Sequence, residues 1–394
     1  MSDFVHLHIH SEFSILDGAN RIKDLPARAK ELGMKAMAIT DHGVMFGVID
    51  FYKACKNEGI KPIIGCEVYV APRSRFDKEP GIDNKYYHLI ILAKNNVGYK
   101  NLCKLVSLGY VDGYYYKPRI DREIIQKYHE GLIVLSGCLA GEVNQALKYG
   151  DENQAKEVAM WYKNLFGDDY YIEVQNNGLK EQVLANQKLI KLARQLDIEI
   201  VATNDAHYLK KEDAFNHEVL LCIQTGKKLS DENRMRFNTD ELYIKSPEEM
   251  SEFFKGFPDA IENTVKIADK CNVNFEFGHT ILPNYDVPKE YATHYDFLKH
   301  LCDDGIKRRY GNNPSKEILD RATYELSVVS KMGFVDYYLI VWDYIHYAKE
   351  NNIPVGPRKR FWCRFNSCIC NWNNRYWSNE VWINIWKIFK SRKN

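Results

Sequence analysis

The sequence predicts an α/β fold, a parallel sheet or barrel, followed by an all-helical segment. Three observations carry this: seven short β-rich runs, amphipathic segments between most of them, and purely helical periodicity from about residue 282. The runs are Phe4–Ile9, Ala36–Thr40, Pro62–Val70, His88–Ala93, Leu132–Leu135, Tyr170–Val174 and Ile198–Ala202. The intervening helical segments include Arg21–Leu32, Gly47–Glu58, Asn153–Phe166 and Lys180–Leu196. Such alternation places chemically useful residues where strands run out into loops. Later, Tyr295–Arg309, Ser315–Lys331 and Asp336–Asn351 repeat apolar residues every three or four positions, punctuated by Pro314 and Pro354. A domain boundary is expected near residues 279–285.

The 394 residues, 45% of them apolar, suffice for one large core or two ordinary ones. A net charge of +1 excludes a highly basic nucleic-acid coat and an acidic disordered tail. That balance sums two unlike segments: residues 358–394 hold nine basic residues and one acidic, giving +8, so residues 1–357 carry −7. No cationic stretch precedes an apolar block, and nowhere do about 18 apolar residues run together, so neither a signal peptide nor a membrane span is expected. Cys55, Cys66, Cys103, Cys138, Cys222, Cys271 and Cys302 are scattered singly, as in a reduced compartment, and the chain reads as cytoplasmic.

The first run is Phe4-Val5-His6-Leu7-His8-Ile9-His10-Ser11. Strand periodicity puts His6, His8 and His10 on one face and Val5, Leu7 and Ile9 on the other. Buried, three imidazoles need a proton or a metal; the alternative is a polar edge facing solvent. Other clusters favour the first reading. The second strand leads to Thr40-Asp41-His42-Gly43, the third contains Gly65-Cys66-Glu67, and the fourth opens on His88. The fifth ends in Ser136-Gly137-Cys138, and the seventh runs into Thr203-Asn204-Asp205-Ala206-His207. Nitrogen, oxygen and sulfur donors together suit zinc, manganese or iron better than calcium or magnesium. Alone, Cys138 reads as a small buried apolar residue and Asp17 as a turn residue. The run Tyr114-Tyr115-Tyr116-Lys117-Pro118-Arg119 fits either a phosphate- or base-contacting element or an ordinary surface loop.

This constellation resembles the PHP (polymerase and histidinol phosphatase) domain, a distorted seven-stranded (β/α) barrel with up to three metals at one end. Carried over by residue, the family's ligand pattern falls on His8, His10, Asp17, His42, Glu67, His88, Cys138, Asp205 and His207. The resemblance implies two or three divalent metals and phosphoester hydrolysis without a separate protein nucleophile, with Asp205, His207, Glu67 and His42 at the catalytic centre. In this register His6 is no ligand, and Asp41 orients its neighbour or a bound water. His88 lies at the start of its strand, against the simple barrel rule, so a hairpin from Glu67 onward is expected to return it to the site.

Further strings resemble bacterial DNA polymerase III alpha subunits of the DnaE type. They include Tyr115-Tyr116-Lys117-Pro118-Arg119-Ile120, Leu220-Leu221-Cys222-Ile223-Gln224-Thr225-Gly226-Lys227 and Met332-Gly333-Phe334-Val335-Asp336-Tyr337-Tyr338-Leu339, then Ile353-Pro354-Val355-Gly356-Pro357. The likeness implies a PHP domain over 1–280, the first helices of a polymerase palm over 281–357, and an aberrant tail over 358–394. It also implies DNA (a primer-template 3′ end) and other replicase subunits as partners, no membrane, and 3′→5′ exonuclease proofreading without polymerisation by this chain. A non-catalytic metal-stabilised docking module and a small-molecule phosphatase are the alternatives. Where the family continues Gly-Pro with Gly-Arg-Gly-Ser, this chain reads Arg358-Lys359-Arg360-Phe361-Trp362-Cys363. Deleting one C from a possible coding sequence restores Pro-Gly-Arg-Gly-Ser, so a frameshift or premature end is expected after Pro357. A zinc knuckle on Cys363, Cys368 and Cys370 lacks its Cys-x-x-Cys pair, and a basic aromatic arm is the other rival.

Overall fold

The computed structural model describes residues 3–278 and 283–355. The chain divides into two compact units between Phe275 and Glu276. The tail over 358–394 and residues 279–282 of the expected boundary lie outside the described residues.

The first unit is built on β1 (Ala36–Ile39), β2 (Lys61–Val70), β3 (Tyr87–Ala93), β4 (Tyr114–Tyr115), β5 (Lys117–Ile120), β6 (Leu132–Leu135), β7 (Tyr170–Gln175) and β8 (Glu199–Thr203). One sheet runs β2-β3-β6-β7-β8, with β1 and β5 both paired to β2 and β4 forming a hairpin with β5. Residues 4–10 join its two ends. On one side Ala38 and Thr40 donate N–H groups to the carbonyls of His6 and Ile9, at 2.8 and 2.9 Å. On the other, His10 N–H bonds the Ala206 carbonyl at 2.9 Å and Ala206 N–H bonds that of His8 at 3.1 Å. The ring therefore closes with the seven segments that the apolar runs mark, a distorted seven-stranded barrel.

Two expectations need correction. The sheet is mixed: β3 runs antiparallel to both β2 and β6. Residues 71–86 lead from β2 back along its own edge, and an antiparallel neighbour needs no crossover helix. The three histidines also do not share one face. His6 and Ile9, three residues apart, accept from Ala38 and Thr40, which are two apart, so residues 4–10 carry one extra residue as a bulge does. Val5 and Leu7 belong to the inner core, whereas Ile9 joins the outer one. The flip lets His8 and His10 follow Leu7 toward the barrel axis, while His6 turns away to the Lys245 carbonyl, Nε2 to O 3.0 Å.

The barrel strands β1, β2, β3, β6, β7 and β8 alternate between the two cores. Ala38, Ile63, Ile90, Leu92, Ile133, Leu135, Tyr171 and Val201 fill the barrel, and their neighbours Ile39, Ile64, Ile91, Val134, Ile172 and Ile200 pack outward. Around the ring lie α1 (Leu25–Glu31), α2 (Val48–Glu58), α3 (Asn96–Val111), α4 (Arg122–Lys127), α5 (Glu142–Lys148), α6 (Glu152–Phe166) and α7 (Lys180–Gln195). Their starts are written locally: Asn95, Asp121 and Asp151 each accept backbone N–H groups of the first turn of α3, α4 and α6. After β8 come α8 (Ala214–Thr225), α9 (Pro247–Phe253) and α10 (Pro258–Lys270). Ile267 and Ala268 of α10, with Cys271, complete the inner core, and Thr264 Oγ1 accepts Val5 N–H at 3.1 Å.

The second unit contains α11 (His294–Tyr310), α12 (Lys316–Lys331) and α13 (Val335–Glu350). Phe297, Leu298, Cys302, Leu326, Val329 and Leu339 form its core, as the three- and four-residue spacing predicts.

Candidate metal centre

Along β2, β7 and β8 the inward side begins on apolar residues and ends on polar ones. Ile63 and Gly65 lead to Glu67 on β2, Tyr171 to Glu173 on β7, and Val201 to Thr203 on β8. Because β3 is antiparallel, Leu92 and Ile90 lead backward to His88, so the start of that strand lies at the same end of the barrel. The expected hairpin exists and pairs Tyr69 with His88, two residues along from Glu67 opposite Ile90.

At this end the donors converge. His8 Nε2 lies 3.1 Å from His10 Nε2 and 3.2 Å from Asp205 Oδ1, and His10 Nε2 lies 3.1 Å from the same oxygen. The Glu67 carboxylate stands 3.6 Å from both rings. Glu67 also meets His42 Nδ1 at 2.5 Å and His88 Nδ1 at 2.8 Å. Asp17 Oδ2 lies 3.2 Å from His42 Nε2, and its Oδ1 lies 3.6 Å from His207 Nε2. Cys138 Sγ is 3.9 Å from His88 Nδ1. All nine residues expected from the sequence thus adjoin one site, with Cys138 at its margin.

Two further residues belong to it. Glu173 is buried and meets His8 Nδ1 at 2.8 Å, which turns Nε2 toward the other donors. His217, on α8, reaches Asp17 Oδ1 at 3.3 Å. A charged residue in the apolar run Tyr170-Tyr171-Ile172-Glu173-Val174 was a usable signal; His217 stands in a helix with nothing to mark it. Asp41 points elsewhere: it accepts Ser11 N–H at 2.6 Å and the hydroxyls of Ser11 and Ser14, both at 2.8 Å, holding the loop that presents Asp17.

Burial and crowding set the protonation. Burial opposes charge on His8, but Asp205, Glu173 and Glu67 carry it up to about 9. Burial, reinforced by His42 and His207, takes His10 down to about 3. His42 is buried too, yet Glu67 and Asp17 raise it to about 10. Burial works against the charged forms of Glu67, Asp17 and Asp205, but the surrounding imidazoles hold all three below the usual carboxylate range. Burial, then Glu67 and Asp205, push the Cys138 thiol well up.

The donors fit metal ions better than they fit one another. His42 Nδ1, Glu67 Oε2 and Asp205 Oδ1 are buried without a properly oriented hydrogen bond among the described residues. Leaving a buried polar atom without a hydrogen bond costs about 1–3 kcal/mol. A tetrahedral zinc with bonds of about 2.0–2.1 Å has donor-to-donor edges of about 3.3 Å. The His8, His10, Asp205 and Glu67 contacts, at 3.1 to 3.6 Å, bracket that edge. His42, Glu67 and His88, and Asp17, His207 and His217, form further groups of compatible span.

Backbone strain gathers here as well. Among the described residues the left-handed non-glycines are Leu16, Tyr116, Asp197, Asp205 and Asn352. Leu16 precedes Asp17, and Asp205 (φ 49°) turns its carboxylate onto the histidines. Above the donors opens a cavity of about 690 Å³, lined by Asp17, His42, Glu67, His88, Cys138, Asp205 and His207 and flanked by Tyr114, Tyr116 and Lys117.

Residues 6–177 match the PHP domain family, and residues 296–359 match the family described as the bacterial DNA polymerase III alpha NTPase domain. The chain is 49% identical over 357 residues to the DNA polymerase III subunit alpha of Borreliella burgdorferi, covering 90% of this chain and 31% of the relative. Against the subunit of Treponema pallidum identity is 51% over 356 residues, covering 90% and 30%. The chain thus spans about a third of the length of the curated relatives it matches. An amidohydrolase structure from Chromobacterium violaceum aligns with 52% of this chain and 87% of its own at 14% identity and a TM-score of 0.33, too low to support an inference. No helix among the described residues is long and apolar enough to cross a membrane. Residues 6–177 thus carry a match to the PHP domain family, and nine-tenths of the chain is similar in sequence to about a third of the length of bacterial DNA polymerase III alpha subunits.

Proposed function

We propose that the barrel is a metal-dependent phosphodiesterase acting as a 3′→5′ exonuclease on DNA within a cytoplasmic replicative polymerase, with other replicase subunits as partners. The observation that carries this is the convergence of Asp205 and Glu67 on His8 and His10, at 3.1 to 3.6 Å from their Nε2 atoms, beneath an open cavity. The ligands would be His8, His10, Asp17, His42, Glu67, His88, Cys138, Asp205 and His207, holding two or three zinc, manganese or iron ions. Bound metals would supply Lewis acidity and an activated water for phosphodiester hydrolysis.

The chain's own groups do the rest. Glu67 touches both histidine groups and couples them; Asp205 orients His8 and His10; Glu173 fixes the tautomer of His8. His42 and His207, at the cavity wall, flank Asp17 and fix its carboxylate at the cavity floor. Purified protein with an end-labelled primer and manganese or zinc tests the activity: single-nucleotide shortening from the 3′ end is expected, abolished in Asp205→Asn. Bound metal with a chelator-dependent melting temperature but no cleavage would favour the docking-module reading instead. Release of phosphate from histidinol phosphate would favour the small-molecule phosphatase.

For the rest of the chain we propose residues 281–357 as the beginning of a polymerase palm and residues 358–394 as an out-of-frame continuation. Sequencing the locus across the Pro357 codon checks the latter; a clean reading frame carrying this tail would sink it.

A further inference from the structure

The Tyr114–Arg119 run lies at the mouth of the metal centre. Its strands, β4 and β5, form a hairpin with Tyr116 in left-handed backbone (φ 60°) at the turn. Tyr114 and Tyr116 line the cavity yet are 53% and 68% exposed, so their rings stand at its mouth with their faces available. Tyr110 of α3 continues this wall, its ring 6.2 Å from that of Tyr114 at 28°. Lys117 Nζ sits 5.2 Å from the Tyr69 ring, which in turn lies 5.3 Å from His88.

The hairpin is built to stay in place. Arg119, fully buried, points away from the cavity and bonds the carbonyls of Gly113, Asp83, Arg75 and Asp77 at 3.1, 2.6, 3.2 and 2.8 Å. It pins the hairpin to the 71–86 connection, leaving Lys117 as the one lysine or arginine lining the cavity among the described residues. Exposed tyrosines on a clamped hairpin lose little freedom when a ligand stacks on them.

A phosphomonoester dianion is often held by an arginine fork, and no arginine lines this cavity among the described residues. A phosphodiester carries one charge per linkage, and its bases offer π-faces to aromatic walls. The cavity of about 690 Å³ also exceeds a lone phosphate group many times over.

We infer that Tyr114 and Tyr116 form a base-stacking wall that seats the end of a single-stranded nucleic acid, with Lys117 on a backbone phosphate, and thereby select polymer over small phosphoesters. This rests on the phosphodiesterase reading for its chemistry but has its own readout. The full chain is titrated with a fluorescent, phosphorothioate-linked oligothymidylate, which resists cleavage, and binding is followed by anisotropy. Tyr114→Ala/Tyr116→Ala is expected to weaken binding about tenfold or more, whereas Tyr114→Phe/Tyr116→Phe stays within about twofold. An abasic strand of equal length should bind the unaltered protein as weakly as oligothymidylate binds the alanine variant.

On cleavable substrates the alanine variant's efficiency with oligothymidylate should fall about tenfold relative to that with bis(4-nitrophenyl) phosphate, through KM rather than kcat. Equal binding by the alanine variant, equal binding of the abasic strand, equal weakening by alanine and phenylalanine, or no binding by the unaltered protein would each overturn the wall. Base-dependent binding without hydrolysis of either substrate would instead defeat the phosphodiesterase reading and leave the wall standing.

Discussion

Asp205 occupies a backbone conformation that costs a residue with a Cβ about 1–2 kcal/mol. The strain turns its carboxylate onto His8 and His10, so Asp205→Asn keeps the shape while removing the charge. Loss of at least one metal per chain, counted by elemental analysis, is expected with little change in circular dichroism. Glu173 acts one step back: its carboxylate meets His8 Nδ1 and receives Thr203 Oγ1–H at 2.5 Å. Glu173→Gln should weaken metal affinity about 10- to 100-fold in a competitive chelator titration without unfolding the barrel. Unaltered affinity would mean that the His8 ring is held by its burial alone.

Arg119 joins the hairpin to the connection between β2 and β3, and replacing it removes the guanidinium donor from the carbonyls of Asp83, Arg75 and Asp77. Arg119→Met is expected to cost at least about 3 kcal/mol in urea unfolding, since each hydrogen bond to a charged group contributes roughly 1.5–3. At this scale the apolar runs read well, because buried strands must alternate and Ile63, Ile90, Ile133 and Val201 do so on every side of the ring. The bulge after His6 left no trace, since it needs neither glycine nor proline and His6-Leu7-His8-Ile9 keeps perfect alternation through it. Nor did Tyr114–Ile120 look like a hairpin, having no turn glycine at Tyr116 and a buried arginine in place of an apolar residue. The nine donors were legible because metal ligation demands particular side chains; His217 and Glu173 required knowledge of what the fold brings beside them.

The net charge of +1 belongs to no single part of the molecule, since residues 1–357 carry −7 before any cation binds. With one lysine lining the cavity, affinity for single strands should depend weakly on salt, a log–log slope near −0.7 per phosphate neutralised. A slope several times steeper would place the DNA path on another surface. Metal removal should lower the melting temperature of the first unit, because the buried Glu67 Oε2 and Asp205 Oδ1 then lose the ions that would satisfy them. Barrel closure also sets an order of events during synthesis. Residues 4–10 leave the ribosome before the other barrel segments, but their partners Ala206 and Thr264 follow much later, the latter 259 positions behind Val5. At roughly 5–20 residues per second the histidine-rich leading segment waits on the order of tens of seconds for its neighbours. The last stave to be seated is thus the first one made, and a nascent chain released before α10 emerges carries His8 and His10 with no barrel to hold them.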